Sequence, residues 1–234
     1  MLRIENLQAG YGGLLILHGV TMEVPPGKIV CIIGANGSGK STIFKTIFGL
    51  VRAGAESYIS FNGKDLTNSK PNLVVKHGIS YVPQGRSIFR NLTVEENLRM
   101  GAYLRNDSAV RHDIDRIYEM FPVLRTRQKI NAANLSGGEQ QMLVMGRALL
   151  LNPGLVLLDE PSLGLEPRFT DLVFDRVREI NRDGKAIFII EQNARRALEI
   201  ADYAYVLDLG RVRFEGSPAD ILANGEVQKL YLGG

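Results

Sequence analysis

The chain has 234 residues, enough for one large α/β domain, or a domain with a subdomain, around a sizeable core. Its apolar share of 45% and charged share of 23% are ordinary for a globular protein, and its net charge of +3 is too small to argue for nucleic-acid binding. The single cysteine, Cys31, excludes an internal disulfide, and no stretch approaches the ~20 apolar residues of a membrane span.

The N-terminal part predicts two strands. Residues 2–7 alternate apolar and polar side chains, which we interpret as a strand at an exposed sheet edge. Residues 20–24 alternate again, and the Pro-Pro-Gly run at 25–27 ends that strand. Tyr11 lies between the two in a glycine-rich turn, where we expect a half-exposed ring. Residues 1–6 lack the basic start and apolar core of a signal peptide, so we expect none.

The next stretch is the strongest chemical signal in the chain. An apolar run at residues 29–33 leads into GANGSGKST at 34–42, which fits the pattern G-x-x-x-x-G-K-[ST] and opens a helix-like segment. Glycines let successive backbone N–H groups turn inward around phosphate oxygens, and the helix directs its positive end at the anion. Lys40 can reach the β- and γ-phosphates, and the Ser41 hydroxyl can ligate Mg²⁺. The alternative is a glycine-rich turn without a ligand.

A polar loop and a helical segment follow. A short strand at residues 79–82 runs into a loop containing Gln84. Because ligands sit beyond the carboxyl ends of strands in open α/β sheets, Gln84 is a candidate site residue. From residue 93 to about 133 the pattern is helical without a strand signal, and a capping box of Thr93 and Glu96 starts it.

Residues 135–140, LSGGEQ, precede another helical run. Ser136 is a good N-cap, and Glu139 completes a second capping box. As structure, this is a well-capped helix. As chemistry, it is a second helix N-terminus with two glycines and a hydroxyl, and so a second potential phosphate site.

Two acids then end an apolar strand. Residues 155–158 predict a central parallel strand, which runs into Asp159 and Glu160. Acids at the end of a buried strand are costly unless they are used or solvated. With a phosphate loop upstream, Asp159 can hold Mg²⁺ and Glu160 can polarise the attacking water as a general base. The plainer alternative is two acids that open a surface loop. A further buried strand at residues 186–190 precedes Gln192.

In this order the motifs resemble the nucleotide-binding subunit of an ATP-binding-cassette (ABC) transporter, over nearly the whole chain. LSGGEQ is specific to that superfamily, whereas the glycine loop and the acidic pair are shared with many ATPases. The resemblance implies a single ABC ATPase domain over residues 1–234 with an α/β fold. Its parts would be a P-loop NTPase core with a mainly parallel sheet, an N-terminal antiparallel β subdomain, and an α-helical subdomain inserted at about 90–150.

The resemblance also implies ATP and Mg²⁺ as cofactors and gives individual residues a role. Three residues would be catalytic: Glu160, Gln84 and Gln192. Three would hold Mg²⁺: Ser41, Gln84 and Asp159. The nucleotide itself would be bound by Tyr11 stacked on adenine and by residues of the glycine loop and the LSGGEQ signature: Gly34, Asn36, Gly37, Ser38, Gly39, Lys40, Ser41, Thr42, Ser136, Gly137 and Gly138.

Two positions depart from the superfamily pattern. Gln192 stands where the switch-loop histidine is usual. Glutamine can donate a hydrogen bond to the γ-phosphate but carries no titratable charge, so we assign the base role to Glu160. Glu166 stands where the D-loop, residues 162–166, usually has aspartate. A cassette that binds ATP without hydrolysing it remains an alternative on the strength of Gln192.

Further segments narrow the resemblance to the smaller ATPase subunit of bacterial branched-chain (hydrophobic) amino-acid importers. They lie at residues 11–13, 17–20, 83–89, 91–98, 190–193 and 231–233. Urea and amide importers of the same branch are the alternative. A soluble ABC protein of translation or DNA repair is a less favoured third, because this chain has one cassette and a short helical insertion.

The partners implied are a second nucleotide-binding subunit, identical or not, the transmembrane permease subunits, and indirectly a periplasmic binding protein. The resemblance implies no nucleic acid. The expected location is the cytoplasmic face of the inner membrane, as a peripheral subunit. Residues 86–90 and 93–97 would border the groove that receives a coupling helix of the permease.

Overall fold

The computed structural model describes residues 1–105 and 107–231. The strands are β1 (Leu2–Tyr11), β2 (Leu14–Val24), β3 (Ile29–Ile33), β4 (Tyr58–Phe61), β5 (Lys64–Asp65), β6 (Ile79–Val82), β7 (Leu155–Asp159), β8 (Ala186–Ile190), β9 (Tyr203–Asp208) and β10 (Arg211–Gly216). The helices are α1 (Lys40–Ile47), α2 (Pro71–Lys76), α3 (Val94–Gly101), α4 (Val110–Met120), α5 (Pro122–Thr126), α6 (Gly137–Leu149), α7 (Pro167–Arg182), α8 (Ala194–Ile200), α9 (Pro218–Ala223) and α10 (Gly225–Tyr231). Leu232 and Gly233, part of the terminal segment used above, lie outside the described residues.

A six-stranded sheet forms the centre of the molecule, in the order β10-β9-β3-β8-β7-β6. Strands β9, β3, β8, β7 and β6 are parallel, and β10 joins β9 antiparallel. Every residue of β3, β7 and β8 is buried, as expected for strands covered on both faces. Because these strands are parallel, their carboxyl ends meet at one edge of the sheet, which gathers the loops that follow them.

Alternate residues of each central strand enter two different cores, because successive side chains point to opposite faces. In β3, Ile29, Cys31 and Ile33 pack with helices α3 to α8, whereas Val30 and Ile32 pack with α1 and the N-terminal strands. Cys31 is fully buried, and this burial raises the pKa of its thiol to about 12.

The second sheet is antiparallel and four-stranded, in the order β2-β1-β4-β5. β1 therefore has a partner on each side, and the expectation that residues 2–7 form an edge strand is wrong. The alternation in β1 reflects one face packed on the core and one facing solvent, which a central strand of an antiparallel sheet also shows. The mainly parallel core and the antiparallel N-terminal sheet confirm the predicted fold class.

Helices α3 to α6 lie between β6 and β7 in the chain. Both predicted capping boxes are present, at Thr93 before α3 and at Ser136 before α6. The assignment of residues 90–150 to a separate helical subdomain stays a prediction. Across residues 1–105 and 107–231, no helix is both long and apolar enough to cross a bilayer.

Candidate nucleotide site

The loop between β3 and α1 requires glycine in two ways. Gly39, the residue before α1, has a φ of 104°, in the left-handed region that side chains rarely adopt. At Gly34 the constraint is space, since a Cβ there would lie 2.1 Å from the carbonyl oxygen of Leu207. The loop thus folds tightly against β9 and exposes its backbone to the space above the sheet edge.

Lys40 lies inside this loop with 5% of its surface exposed. Its ammonium donates hydrogen bonds to the carbonyl oxygens of Gly34 at 2.8 Å and Ala35 at 2.9 Å. Burial lowers the pKa of Lys40, and the nearby carboxylates of Glu160 and Asp159 partly offset that effect. The Lys40 ammonium is therefore held within the loop, where it can pair with a bound phosphate.

Ser38 gives a second indication of an anion. Its hydroxyl is buried and has no hydrogen-bond partner among the described residues. Buried polar groups without partners are uncommon in proteins. A phosphate oxygen would accept the hydrogen bond that Ser38 leaves unused, so the loop fits a nucleotide phosphate.

Asp159, the last residue of β7, is 99% buried. Its Oδ1 accepts a hydrogen bond from the Ser41 hydroxyl at 2.9 Å, and its Oδ2 accepts one from the Tyr81 hydroxyl at 3.0 Å. Burial raises the pKa of Asp159, and the two hydrogen bonds oppose that rise. Sequence analysis missed Tyr81. Tyr81 could have been nominated from its position near the end of β6, the strand next to the one that ends in Asp159.

These oxygens fit Mg²⁺. The carboxylate of Asp159 and the hydroxyl of Ser41 are the hard oxygen ligands that this ion prefers, and they already touch. Within the described residues no three His, Cys, Asp or Glu side chains form a metal cluster. The remaining ligands would therefore come from phosphate oxygens, water and the amide of Gln84.

Glu160 has a strained backbone, with a φ of 50°. A left-handed conformation at a non-glycine residue costs about 1–3 kcal/mol and persists where the surroundings enforce it. Its N–H donates to the carbonyl of Ile190 at 2.9 Å, and its carboxylate accepts a hydrogen bond from the Gln84 amide at 2.9 Å. Burial raises the pKa of Glu160, which moves this carboxylate toward the range useful to a general base.

A cleft of about 440 Å³ opens above these groups. Tyr11 lines the cleft and is 48% exposed, as expected of a side chain available for stacking. The fold brings together most of the predicted residues from five separate parts of the chain: Tyr11, Asn36, Gly37, Gly39, Lys40, Ser41, Thr42, Gln84, Glu160 and Gln192. Ile16 and Leu163 also line the cleft, and sequence analysis named neither as a site residue.

The signature residues lie outside this cleft. Ser136 caps α6 by accepting a hydrogen bond from the Glu139 N–H. A Cβ on Gly137 would lie 2.7 Å from the Arg86 guanidinium, and one on Gly138 would lie 2.3 Å from the Phe169 ring. These glycines are therefore covered by side chains of their own chain.

The profile of the family described as "ABC transporter" matches residues 17–163, more than half of the chain. The chain belongs to the ABC transporter family. This cassette is 43% identical over 234 residues to the high-affinity branched-chain amino acid transport ATP-binding protein BraG of Pseudomonas aeruginosa, with 100% of both chains covered. It is equally similar to a probable branched-chain amino acid transport ATP-binding protein, LivF, of Archaeoglobus fulgidus, over 100% of this chain and 99% of the relative.

A more distant relative is the lipopolysaccharide export system ATP-binding protein LptB of Haemophilus influenzae. It is 33% identical over 236 residues, which cover 100% of this chain and 97% of the relative. Among solved structures, the ABC cassette MJ1267 in its ADP conformation has a TM-score of 0.90 and 30% identity, over 100% of this chain and 99% of that one. MJ0796, a cassette solved as a dimer, shares the fold with a TM-score of 0.82 at 23% identity over 93% and 99%.

This ABC cassette is accordingly an ATPase, the ATP-binding and ATP-hydrolysing subunit of a transporter. The site has the groups that ATP hydrolysis needs. The Lys40 ammonium can bind phosphate, the oxygens of Ser41 and Asp159 can bind a metal ion, and the Glu160 carboxylate can activate water.

Proposed function

We propose that this chain powers the import of branched-chain (hydrophobic) amino acids through a membrane ABC transporter. The observation that carries the proposal is the end-to-end identity of 43% with two proteins that bear this name, one bacterial and one archaeal. The export protein LptB matches at 33%. A urea or amide importer of the same branch is the alternative.

In the proposed mechanism the Tyr11 ring stacks on adenine, and Lys40 with the loop amides binds the phosphates. Ser41, Asp159 and Gln84 would hold Mg²⁺, which neutralises phosphate charge when bound. Glu160 accepts a proton from the attacking water, and the Gln84 amide fixes the orientation of its carboxylate at 2.9 Å. Gln192, which also lines the cleft, donates a hydrogen bond toward the terminal phosphate.

We further infer that the complete site needs two cassettes arranged head to tail, each contributing its signature residues Ser136, Gly137 and Gly138 to the other. The support is that these residues lie outside the cleft of their own chain. The relative MJ0796 has been solved as a dimer. On this proposal ATPase activity per chain rises with cassette concentration. A specific activity that stayed flat across the titration would contradict the shared site.

The transport proposal is tested in vesicles that contain the cassette with the permease subunits that co-purify with it. Leucine, isoleucine or valine should enter in an ATP-dependent manner when the matching periplasmic binding protein is added. Uptake of urea or an amide without uptake of leucine would transfer the assignment to the alternative importer. Recovery of the cassette at the cytoplasmic face of the inner membrane, dependent on the permease, would support the proposed location.

A further inference from the structure

One buried acid is not used by the mechanism above. Glu191 follows directly on β8, and only 1% of its surface is exposed. Its Oε1 accepts a hydrogen bond from the Ser162 backbone N–H at 3.0 Å, and its Oε2 accepts one from the Ser162 hydroxyl at 2.9 Å. A single carboxylate therefore fixes both the main chain and the side chain of Ser162.

Burying the Glu191 carboxylate costs more free energy than burying a neutral side chain of similar size would. Burial, with a smaller contribution from the charge of Glu160, raises the pKa of Glu191 to about 7. The groups that favour its ionised form are hydrogen-bond donors, from Ser162 and from the Asn193 backbone. A neutral side chain at this position would avoid the desolvation of a charge. The carboxylate thus contributes two directed hydrogen bonds at a cost that simple burial does not require.

Those hydrogen bonds act on the turn that contains the strained residue Glu160. The Leu163 N–H donates to the carbonyl oxygen of Glu160 at 3.1 Å, which closes a turn over residues 160–163. Ser162, inside that turn, is the residue that Glu191 holds. The left-handed backbone at Glu160 is thereby enforced from both sides: by its own N–H on Ile190 and by Glu191 on the far side of the turn.

We infer that Glu191 is a positioning residue: by holding Ser162 it keeps the 160–163 turn closed and directs the Glu160 carboxylate into the cleft. The inference rests on the proposed role of Glu160 as the base. Gln192, the residue after Glu191, lines the same cleft as Glu160. The buried carboxylate therefore links the turn that follows β7 to the loop that follows the neighbouring strand β8. Small misplacements of a catalytic group reduce the rate by up to about 10²-fold, while ground-state binding persists.

The test compares the variants Glu191→Gln and Ser162→Ala in the assembled transporter. Glutamine keeps the shape of glutamate but replaces two charge-assisted hydrogen bonds by weaker neutral ones, and its NH₂ group can pair with the Ser162 hydroxyl only if that hydroxyl accepts instead of donating. We expect kcat for ATP hydrolysis to fall about 10- to 100-fold in Glu191→Gln with KM for ATP within about twofold of wild type. Ser162→Ala should lower kcat less, because it keeps the backbone hydrogen bond to Glu191, and the double variant should show less than the sum of the two effects, because both changes act on the same interaction.

The control is Asp202→Asn, at the edge of the sheet opposite the cleft. Asp202 is more exposed than Glu191, but it too accepts two hydrogen bonds, from the Ile29 N–H and from the Lys28 ammonium, both at 2.9 Å. The Asp202→Asn variant should be less stable than wild type but should keep the wild-type kcat. A purely structural role of Glu191 would lower the melting temperature and ATP affinity together and leave kcat near wild type in the folded fraction, and that result would overturn the inference.

Two further outcomes are decisive. If Glu191→Gln does not fold, Ser162→Ala decides: a lowered kcat with unchanged KM supports the inference, and an unchanged kcat overturns it. Glu160→Gln separates this inference from the proposed function. If Glu160→Gln retains wild-type turnover, the assignment of the base fails, whereas loss of activity there with full activity in Glu191→Gln refutes only the positioning role.

Discussion

The buried carboxyl of Glu191 should make the stability of the chain depend on pH in a way that one substitution removes. Burial raises its pKa from an ordinary 4.5 to about 7. Between these two values the folded chain holds a proton that the unfolded chain has released. The free energy of unfolding must therefore fall as pH rises through this window, and it should level off above about pH 7.

The size of the effect follows from the same two values. Each unit of pKa corresponds to 1.36 kcal/mol, so the rise from 4.5 to about 7 amounts to about 3 kcal/mol. Because only 1% of Glu191 is exposed, solvent screening takes little from this figure. Asp159 and Glu160 also have pKa values raised by burial, and they contribute slopes of the same sign.

Urea unfolding of the nucleotide-free chain, measured from pH 4.5 to 8 for wild type and Glu191→Gln, isolates the contribution of Glu191. The other carboxyls are common to the two proteins, so their slopes cancel in the difference except for that of Glu160, whose charge interacts with Glu191. We expect the variant to gain about 3 kcal/mol relative to wild type across the window. Parallel curves for the two proteins would refute the reasoning, and so would a wild type that gains stability relative to the variant as pH rises.

Three further predictions concern the cleft and the signature. Glu160→Gln should lower ATPase activity about 10²- to 10⁴-fold while ATP still binds; wild-type turnover would rule out the base role. Gly138→Ala should destabilise the chain by about 1–3 kcal/mol in thermal unfolding, because the added methyl meets an aromatic ring at 2.3 Å. Gly137→Ala, its matched control, displaces only the end of a flexible guanidinium, and equal losses would argue against this explanation. Tyr81→Phe removes one hydrogen bond to Asp159 and should lower the free energy of unfolding by about 1–3 kcal/mol. It should also alter the Mg²⁺ concentration needed for half-maximal activity. An unchanged Mg²⁺ requirement would show that this tyrosine does not act on the metal site.

The phosphate loop was predictable because its chemistry lies within nine consecutive residues. The same holds for the capping boxes at Thr93 and Ser136, where partners are three residues apart. The rule that ligands sit at the carboxyl ends of parallel strands was sufficient to nominate Gln84. The cost of ending a buried strand in acids nominated Glu160, but neither argument could give the 2.9 Å hydrogen bond between the two residues.

Contacts between distant segments were missed for a common reason. Tyr81 reaches Asp159 across 78 residues, and Ser162 reaches Glu191 across 29. Tyr81 and Glu191 belong to no local sequence pattern, because a tyrosine within a strand and an acid directly after a strand are both common. Their roles depend on strand order. The same is true of β1, whose alternating pattern is identical for an edge strand and for a central strand with one solvent face.

The buried position of Cys31 has a practical consequence for following this ATPase at work. Thiol reagents attack the thiolate, and a fully buried thiol with a pKa of about 12 offers almost none at neutral pH. Since the chain contains no second cysteine, the native protein should react very little with thiol-specific labels. A cysteine introduced at Leu163, which is 46% exposed on the cleft wall, would carry a fluorophore, spin label or cross-linker alone, without any prior removal of native thiols.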